Sequence, residues 1–235
     1  MPATDVLGLH DVVAPQDREF DAIDTALDNG LETSADAATT VDFTPELDPV
    51  TGCLLNGTAM PEGTLLITEF MFHPLSSPTA EWFEVANRSN VAIPLGGMSF
   101  VTQGPSAAEE AYLVPGCDAF VVPALGTVVF AREADGIGSL PASSWVYGDH
   151  ELGDTGGSLG LRFGSHWVDK VAWKEGDPAW GPLSNYDGKA VSLDPAKFSR
   201  AGNDPGSAWC PAVEAMANGD YGSPGTPNPE CLVTE

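Results

Sequence analysis

From about residue 53 onward, short runs rich in Val, Ile, Phe, Thr and Trp alternate with clusters of Gly, Pro, Asn and Asp. Such runs, bounded by turn formers, predict β-strands. Branched and aromatic side chains pack well on a pleated surface, whereas Gly and Pro interrupt regular structure. The predicted strands are 65–72, 81–87, 97–102, 119–122, 127–131, 158–163, 167–173, 190–193 and one near 207–210. Gly and Pro supply 26 and 20 of the 235 residues, which rules out a mostly helical bundle. No GxGxxG follows a strand and no helix-length periodic run occurs past residue 60, which argues against a parallel α/β sheet. Many short strands with turn signals between them predict an all-β sandwich or barrel.

Side chains alternate across a strand, so each run predicts two faces. In 81–87, Phe83 and Val85 share one face, and Trp82 and Glu84 the other. In 167–173, Val168 and Lys170 are expected opposite Trp167, Asp169, Val171 and Trp173. Gly164-Ser165 reads as the hairpin connection between two strands. Glu69, Glu81 and Glu84 lie on the opening strands, where converging carboxylates would permit acid–base work. The expected reading is plainer: Trp82 and Glu84 form a solvent-facing ladder.

Charge narrows the function classes. Lys and Arg number 9 against 34 Asp and Glu, a formal charge of −25. Nucleic-acid binding needs clustered cations on phosphates, so DNA and RNA are not expected partners. No stretch approaches the roughly 20 apolar residues that cross a bilayer as a helix. Residues 1–52 carry twelve acids and one base, Arg18, with no Trp, Tyr or Cys. That composition predicts an acidic, flexible N-terminal extension or linker. Phe20, Ile23 and Leu27 have helical spacing before Asn29-Gly30, the alternative of a short docking helix. Residues 53–235 are expected to form the folded domain, ending in a Pro/Gly-rich tail.

The four cysteines, Cys53, Cys117, Cys210 and Cys231, are widely spaced and contain no CxxC pair. They read as two disulfides rather than a zinc site. Four cysteines allow three pairings, and spacing does not choose among them. The expected pairing is Cys210–Cys231, which closes the tail, with Cys53–Cys117. Disulfides and acidity point to an extracellular, cell-surface or periplasmic setting. The chain opens Met1-Pro-Ala-Thr-Asp rather than with an export signal, so this reading expects that signal to have been removed.

Few motifs carry chemistry. Gly156-Gly157-Ser158-Leu159-Gly160 fits the GxSxG spacing of a nucleophile elbow. An elbow needs a helix after the turn, and a strand follows instead. His10, His73, His150 and His166 match no zinc motif, and His73 before Pro74 reads as a turn cap. Asp149, Glu151 and Asp154 lie among Gly148, Gly153 and Gly156 and are the candidate calcium ligands, without EF-hand spacing. Solvated loop acids are the expected reading there, so no cofactor is required.

Several segments resemble one known family. Phe83–Phe100 contains the turn Asn87-Arg88-Ser89-Asn90 and then Leu95-Gly96-Gly97-Met98. Residues 120–136 repeat a strand, Pro/Gly turn and strand. Residues 154–173 pair a Ser-Leu-x-Leu strand with a Val-Asp-x-Val-x-aromatic strand. Thr68-Glu69, His73-Pro74 and Glu81-Trp82-Phe83-Glu84 precede them, and Ser223-Pro224-Gly225-Thr226-Pro227-Asn228 closes the series. In this order the motifs resemble the lamin-tail domain, in the form found in bacteria. The resemblance covers roughly residues 60–230 and implies an immunoglobulin-like β-sandwich. It also implies a non-catalytic module of exported or surface proteins, used for protein binding or structural display. Glu69, Glu81, Trp82, Glu84, Asn87, Ser89, Asn90, Gly96, Gly225 and Pro227 would be its structural motif residues. The alternatives are a calcium-stabilised adhesion module and an accessory domain of a larger secreted hydrolase or nuclease. The sequence names neither a partner nor an oligomeric state.

Overall fold

The computed structural model describes residues 40–117, 120–141, 144–148 and 150–232. Residues 1–39 of the expected acidic extension, with the alternative short helix around Phe20, Ile23 and Leu27, lie outside them. The described chain is all-β. Its twelve strands are β1 (Leu65–Met71), β2 (Trp82–Asn87), β3 (Ile93–Pro94), β4 (Met98–Gln103), β5 (Glu110–Leu113), β6 (Val121–Val122), β7 (Thr127–Ala131), β8 (Ser144–Val146), β9 (Gly156–Phe163), β10 (His166–Lys174), β11 (Val191–Leu193) and β12 (Trp209–Pro211). The one α-helix among the described residues, α1 (Arg200–Asn203), is a single turn capped by Ser199.

The strands form a six-stranded sheet ordered β12-β11-β1-β2-β7-β8, a four-stranded sheet ordered β10-β9-β4-β5, and the short pair β3-β6. Pairing is antiparallel except between β7 and β8. The two larger sheets meet face to face through aromatic rings. Phe70 of β1 lies 4.8 Å from Trp173 of β10, and Phe83 of β2 lies 5.2 Å from Phe100 of β4. Phe83 also stacks on Phe130 of β7. Each large ring removes much apolar area from water, so this layer dominates the stability.

Period two holds along β2: Phe83 and Val85 enter the core between the sheets, whereas Trp82 joins a second buried cluster with Met71, Val129 and Ala131. Two bulges shift the phase elsewhere. In β1 the register slips between Ile67 and Glu69, so Ile67 and Phe70 both face the core and Glu69 falls opposite Glu84. In β10 the slip lies between Trp167 and Asp169. It corrects the expected faces, because Val168 joins Val171 and Trp173 in the core, while the cations of Arg162 and Lys170 lie over the Trp167 ring. Asp169 is buried, and its carboxylate accepts the Ile67 N–H at 2.7 Å and an Asn203 amide hydrogen at 2.9 Å.

The packed region also begins before residue 53, where the boundary was expected. Phe43 belongs to the core, Val41 bridges to Ser89, and Leu47 pairs with Leu54. At the β9–β10 hairpin Gly164 has φ 56°, which suits glycine and confirms the predicted turn. Both expected cysteine pairs are within disulfide distance, with Cα separations of 4.5 Å for Cys53–Cys117 and 5.8 Å for Cys210–Cys231.

Candidate functional site

Two of the three carboxylates expected on the opening strands converge. Glu69 and Glu84 are direct cross-strand partners on the face of the six-stranded sheet turned away from the core. The expected solvent-facing ladder is not what forms. Glu69, Trp82 and Glu84 are all buried, because the chain after β12 crosses this face and covers it. Gly222 packs so closely on the Trp82 indole that an added Cβ would lie 2.7 Å from it.

The covering segment is held by hydrogen bonds that end on the carboxylates. The Ser223 N–H donates to both oxygens of Glu69 at 3.1 Å, and the Ser223 hydroxyl donates to Oε2 at 3.0 Å. The Gly225 N–H donates to Oε2 of Glu84 at 2.7 Å. Gly225 has φ 79°, a backbone state that glycine reaches without a Cβ clash. Thr68, the residue at the β1 bulge, donates its hydroxyl to Oε1 of Glu84 at 2.6 Å. The Asn228 amide donates to the carbonyls of Thr68 and Leu193. The Cys210–Cys231 bond ties the segment at both ends.

Burial pushes Glu69 up to about 8, and the neighbouring Glu84 carboxylate adds to the rise. Burial likewise pushes Glu84 to about 7, against the pull of its Thr68 and Gly225 donors. Glu81 is not part of this pair. It faces Arg132, 3.3 Å away, and accepts the Leu152 N–H at 3.2 Å. Burial pushes it to about 7.

Two grooves of similar size flank these acids. One, about 630 Å³, is lined by Glu81, Glu110, Arg132, Glu151 and Asp154 among others. Arg132 bridges Glu81 and Glu151 there and offsets part of their charge. The other, about 620 Å³, runs beside the tail clasp; Ala86, Leu125, Leu193, Pro195, Phe198 and Pro227 wall it together with three threonines and two asparagines, and among the described residues Glu84 is the one ionisable side chain that lines it. Apolar walls with a few convergent polar groups are the usual make-up of a ligand site. On its rim Leu125 has φ 53°, alone among the described non-glycine residues in being positive, and the residue is 67% exposed. A left-handed backbone is strained for leucine, and little of this residue is buried in return.

The other predicted residues have structural duties. The Asn87 side chain donates to the carbonyls of Val91, Val122 and Pro123 and accepts the Ser89 N–H, which fixes the turn after β2. Asn90 is an exposed turn residue. Gly96 leaves no room for a side chain against Gly116 and Cys117. Ser158 sits within β9, paired with Ala172 and Gln103, so it does not stand on an elbow. His73 contacts Asp187 at 2.8 Å, in keeping with a turn role. Of the candidate calcium ligands, Asp149 lies outside the described residues, Glu151 binds Arg132 at 2.9 Å, and Asp154 is exposed. Among the described residues no group of three or more His, Cys, Asp or Glu is gathered to hold a metal ion.

Comparison of the chain with protein-family models finds no match, and comparison with curated proteins finds none either. Among the described residues, no helix is long and apolar enough to cross a membrane.

Proposed function

We propose that the domain is a non-catalytic β-sandwich module of an exported or surface protein, with a lamin-tail-like immunoglobulin fold, used to bind a protein partner or for structural display. One observation carries this reading. The carboxylate pair best placed for acid–base chemistry is closed over by the chain's own tail, and its oxygens accept that tail's N–H and O–H groups. A general acid or base must instead reach a substrate proton. The Thr-Glu, Glu-Trp-Phe-Glu and Pro-Gly-Thr-Pro-Asn segments, which carry the family resemblance, meet at this clasp, and that supports the fold assignment. Two cysteine pairs at disulfide distance support an oxidising compartment.

The test is a turnover panel of ester, glycoside, peptide and phosphodiester substrates, run beside labelling with a serine-reactive phosphonate. The expected result is no turnover above the blank and no label. Turnover abolished by Glu84→Gln would overturn the reading. A binding arm measures retention of the labelled chain on envelope fragments of the producing cell. Saturable retention is expected, and retention that never saturates counts against a binding role.

A further inference from the structure

An outermost strand leaves one side of its backbone without a neighbour in the sheet. In the four-stranded sheet, β10 is such an edge and runs for nine residues. The Glu175 N–H donates to the Thr155 carbonyl, so position 175 bonds towards β9. Bonded and unbonded pairs alternate along an antiparallel ladder. By the register, Trp173, Val171 and Asp169 also bond towards β9, whereas Lys174, Ala172 and Lys170 turn their N–H and C=O groups outward. The Lys174 carbonyl accepts the Asp177 N–H at 3.2 Å, and the Lys170 N–H meets the Asp169 carboxyl group. The Lys170 carbonyl, both groups of Ala172 and the Lys174 N–H have no backbone partner among the described residues. All three residues are exposed, and their side chains lie opposite Val171 and Trp173, which enter the core. The charge here is unlike that of the rest of the chain. Arg162, Lys170 and Lys174 on the β9–β10 hairpin are three of its nine Lys and Arg. Glu109 lies 3.4 Å from Arg162 and 3.9 Å from Lys170, whose side chain stays 40% exposed. Lys174 makes no ion pair among the described residues, and Glu175 beside it is turned to the Leu183 N–H at 3.0 Å.

We propose that the 170–174 edge of β10 takes an extended acidic segment of a partner protein as a fifth strand of this sheet. The outward backbone groups hold the segment's main chain, and the exposed lysines select its side chains. Acids four positions apart on one face of the segment fall opposite Lys170 and Lys174, and opposite charges across a ladder stabilise it. Edge lysines commonly guard against indiscriminate pairing, and the charge that turns away other strands admits an acidic one. A second copy of this chain does not fit. Two β10 edges joined antiparallel about Ala172 would set Lys170 against Lys174 twice, and like charges directly opposite are destabilising. The inference deepens the binding role proposed above and rests on it.

The experiment titrates the full ¹⁵N-labelled chain with a blocked peptide, acetyl-Glu-Val-Ser-Val-Glu-amide, and follows amide shifts. Salt is held at about 0.15 M, where charges beyond about 8 Å are largely screened and the chain's other acids weigh little. The peptide is expected to shift Lys170, Ala172 and Lys174 saturably and to slow hydrogen exchange at the Ala172 N–H. Its counterpart with Gln for both Glu should bind about fivefold more weakly, the size expected of two exposed cross-strand ion pairs. N-methylation of the central serine, which would face Ala172, should abolish saturable binding, a loss that charge attraction alone does not predict. Lys170→Gln combined with Lys174→Gln should bring the Glu peptide to the level of the Gln peptide, and both positions are exposed, so the fold is retained. Equal binding of the Glu and Gln peptides, undiminished binding of the N-methyl peptide, or shifts that avoid 170–174 would each overturn the inference. So would dimerisation of the peptide-free chain that protects the Ala172 N–H. Saturable envelope retention in those cases leaves the binding role standing, so the two failures are distinguishable.

Discussion

The two faces of the six-stranded sheet are buried by opposite means. Towards the core, Phe83, Phe130 and Phe70 meet the rings of the facing sheet, with Phe83 and Phe130 stacked at 4.8 Å. On the other face, Glu69 and Glu84 are covered by a segment with little regular structure, anchored through hydrogen bonds and a disulfide. The first face gains stability from transferring apolar area out of water. The second carries a desolvation cost that its donors offset only in part. Burial alone therefore does not measure what a residue contributes. On one face it stabilises outright, and on the other it makes stability depend on protons and covalent closure.

The sharpest way to break this comparison is to remove a ring from the core. Phe83→Ala should cost about 3–5 kcal/mol in urea denaturation, as for other large-to-small core changes. A cost under about 1 kcal/mol would mean that the facing sheets are not closely packed there. Opening the Cys210–Cys231 bond by paired serine substitutions should cost about 3 kcal/mol, given a sequence separation of 21. Limited proteolysis should then cut within 212–228 before it cuts the sheets. Simultaneous digestion of both would show that the clasp and the core unfold as one.

Proton linkage gives an effect with a definite sign. Glu69 is raised from 4.5 to about 8, Glu81 and Glu84 from 4.5 to about 7, and Asp169 from 3.8 to about 7. Burial is the chief cause in each. The folded chain therefore keeps protons that the unfolded chain releases. This stabilisation is fully present below the unfolded values and is lost as pH rises through 7 to 8. Scanning calorimetry should give a lower Tm at pH 8.5 than at pH 5.5. Glu69→Gln should shrink that fall by raising Tm at pH 8.5 while leaving pH 5.5 nearly unchanged. A Tm that climbs with pH would contradict the linkage. The smallest effect is expected on the outer face of the four-stranded sheet. Trp167→Ala removes contacts with Arg162 and Lys170 and should cost about 1 kcal/mol, judged by the same urea titration.

The core face was legible because it follows period two. The 81–87, 97–102, 127–131 and 158–163 runs all correspond to strands. The strands β3, β5 and β8 escaped sequence reading. β3 has two residues, β8 has three, and β5 is largely exposed, so none shows a buried alternation. The bulges escaped too, since a one-residue slip leaves no trace in composition, yet they set the faces of Glu69 and Trp167. Phe43 was missed because it sits in an acidic stretch whose charge outweighed a single aromatic. The depth of Glu84 was hidden for a different reason. Its cover comes from a Pro/Gly-rich segment 141 positions away, and local pattern cannot register a partner so distant.

That distance also orders events during synthesis. A chain that leaves the ribosome N-terminus first presents β1 and β2 long before Ser223, which meets Glu69 across 154 positions. Until then the two acids and the Trp82 indole lack the cover that buries them in the finished fold. Closure is the last step by topology, and contacts of such long range form slowly. During that interval the uncovered side is available to chaperones, proteases or other strands.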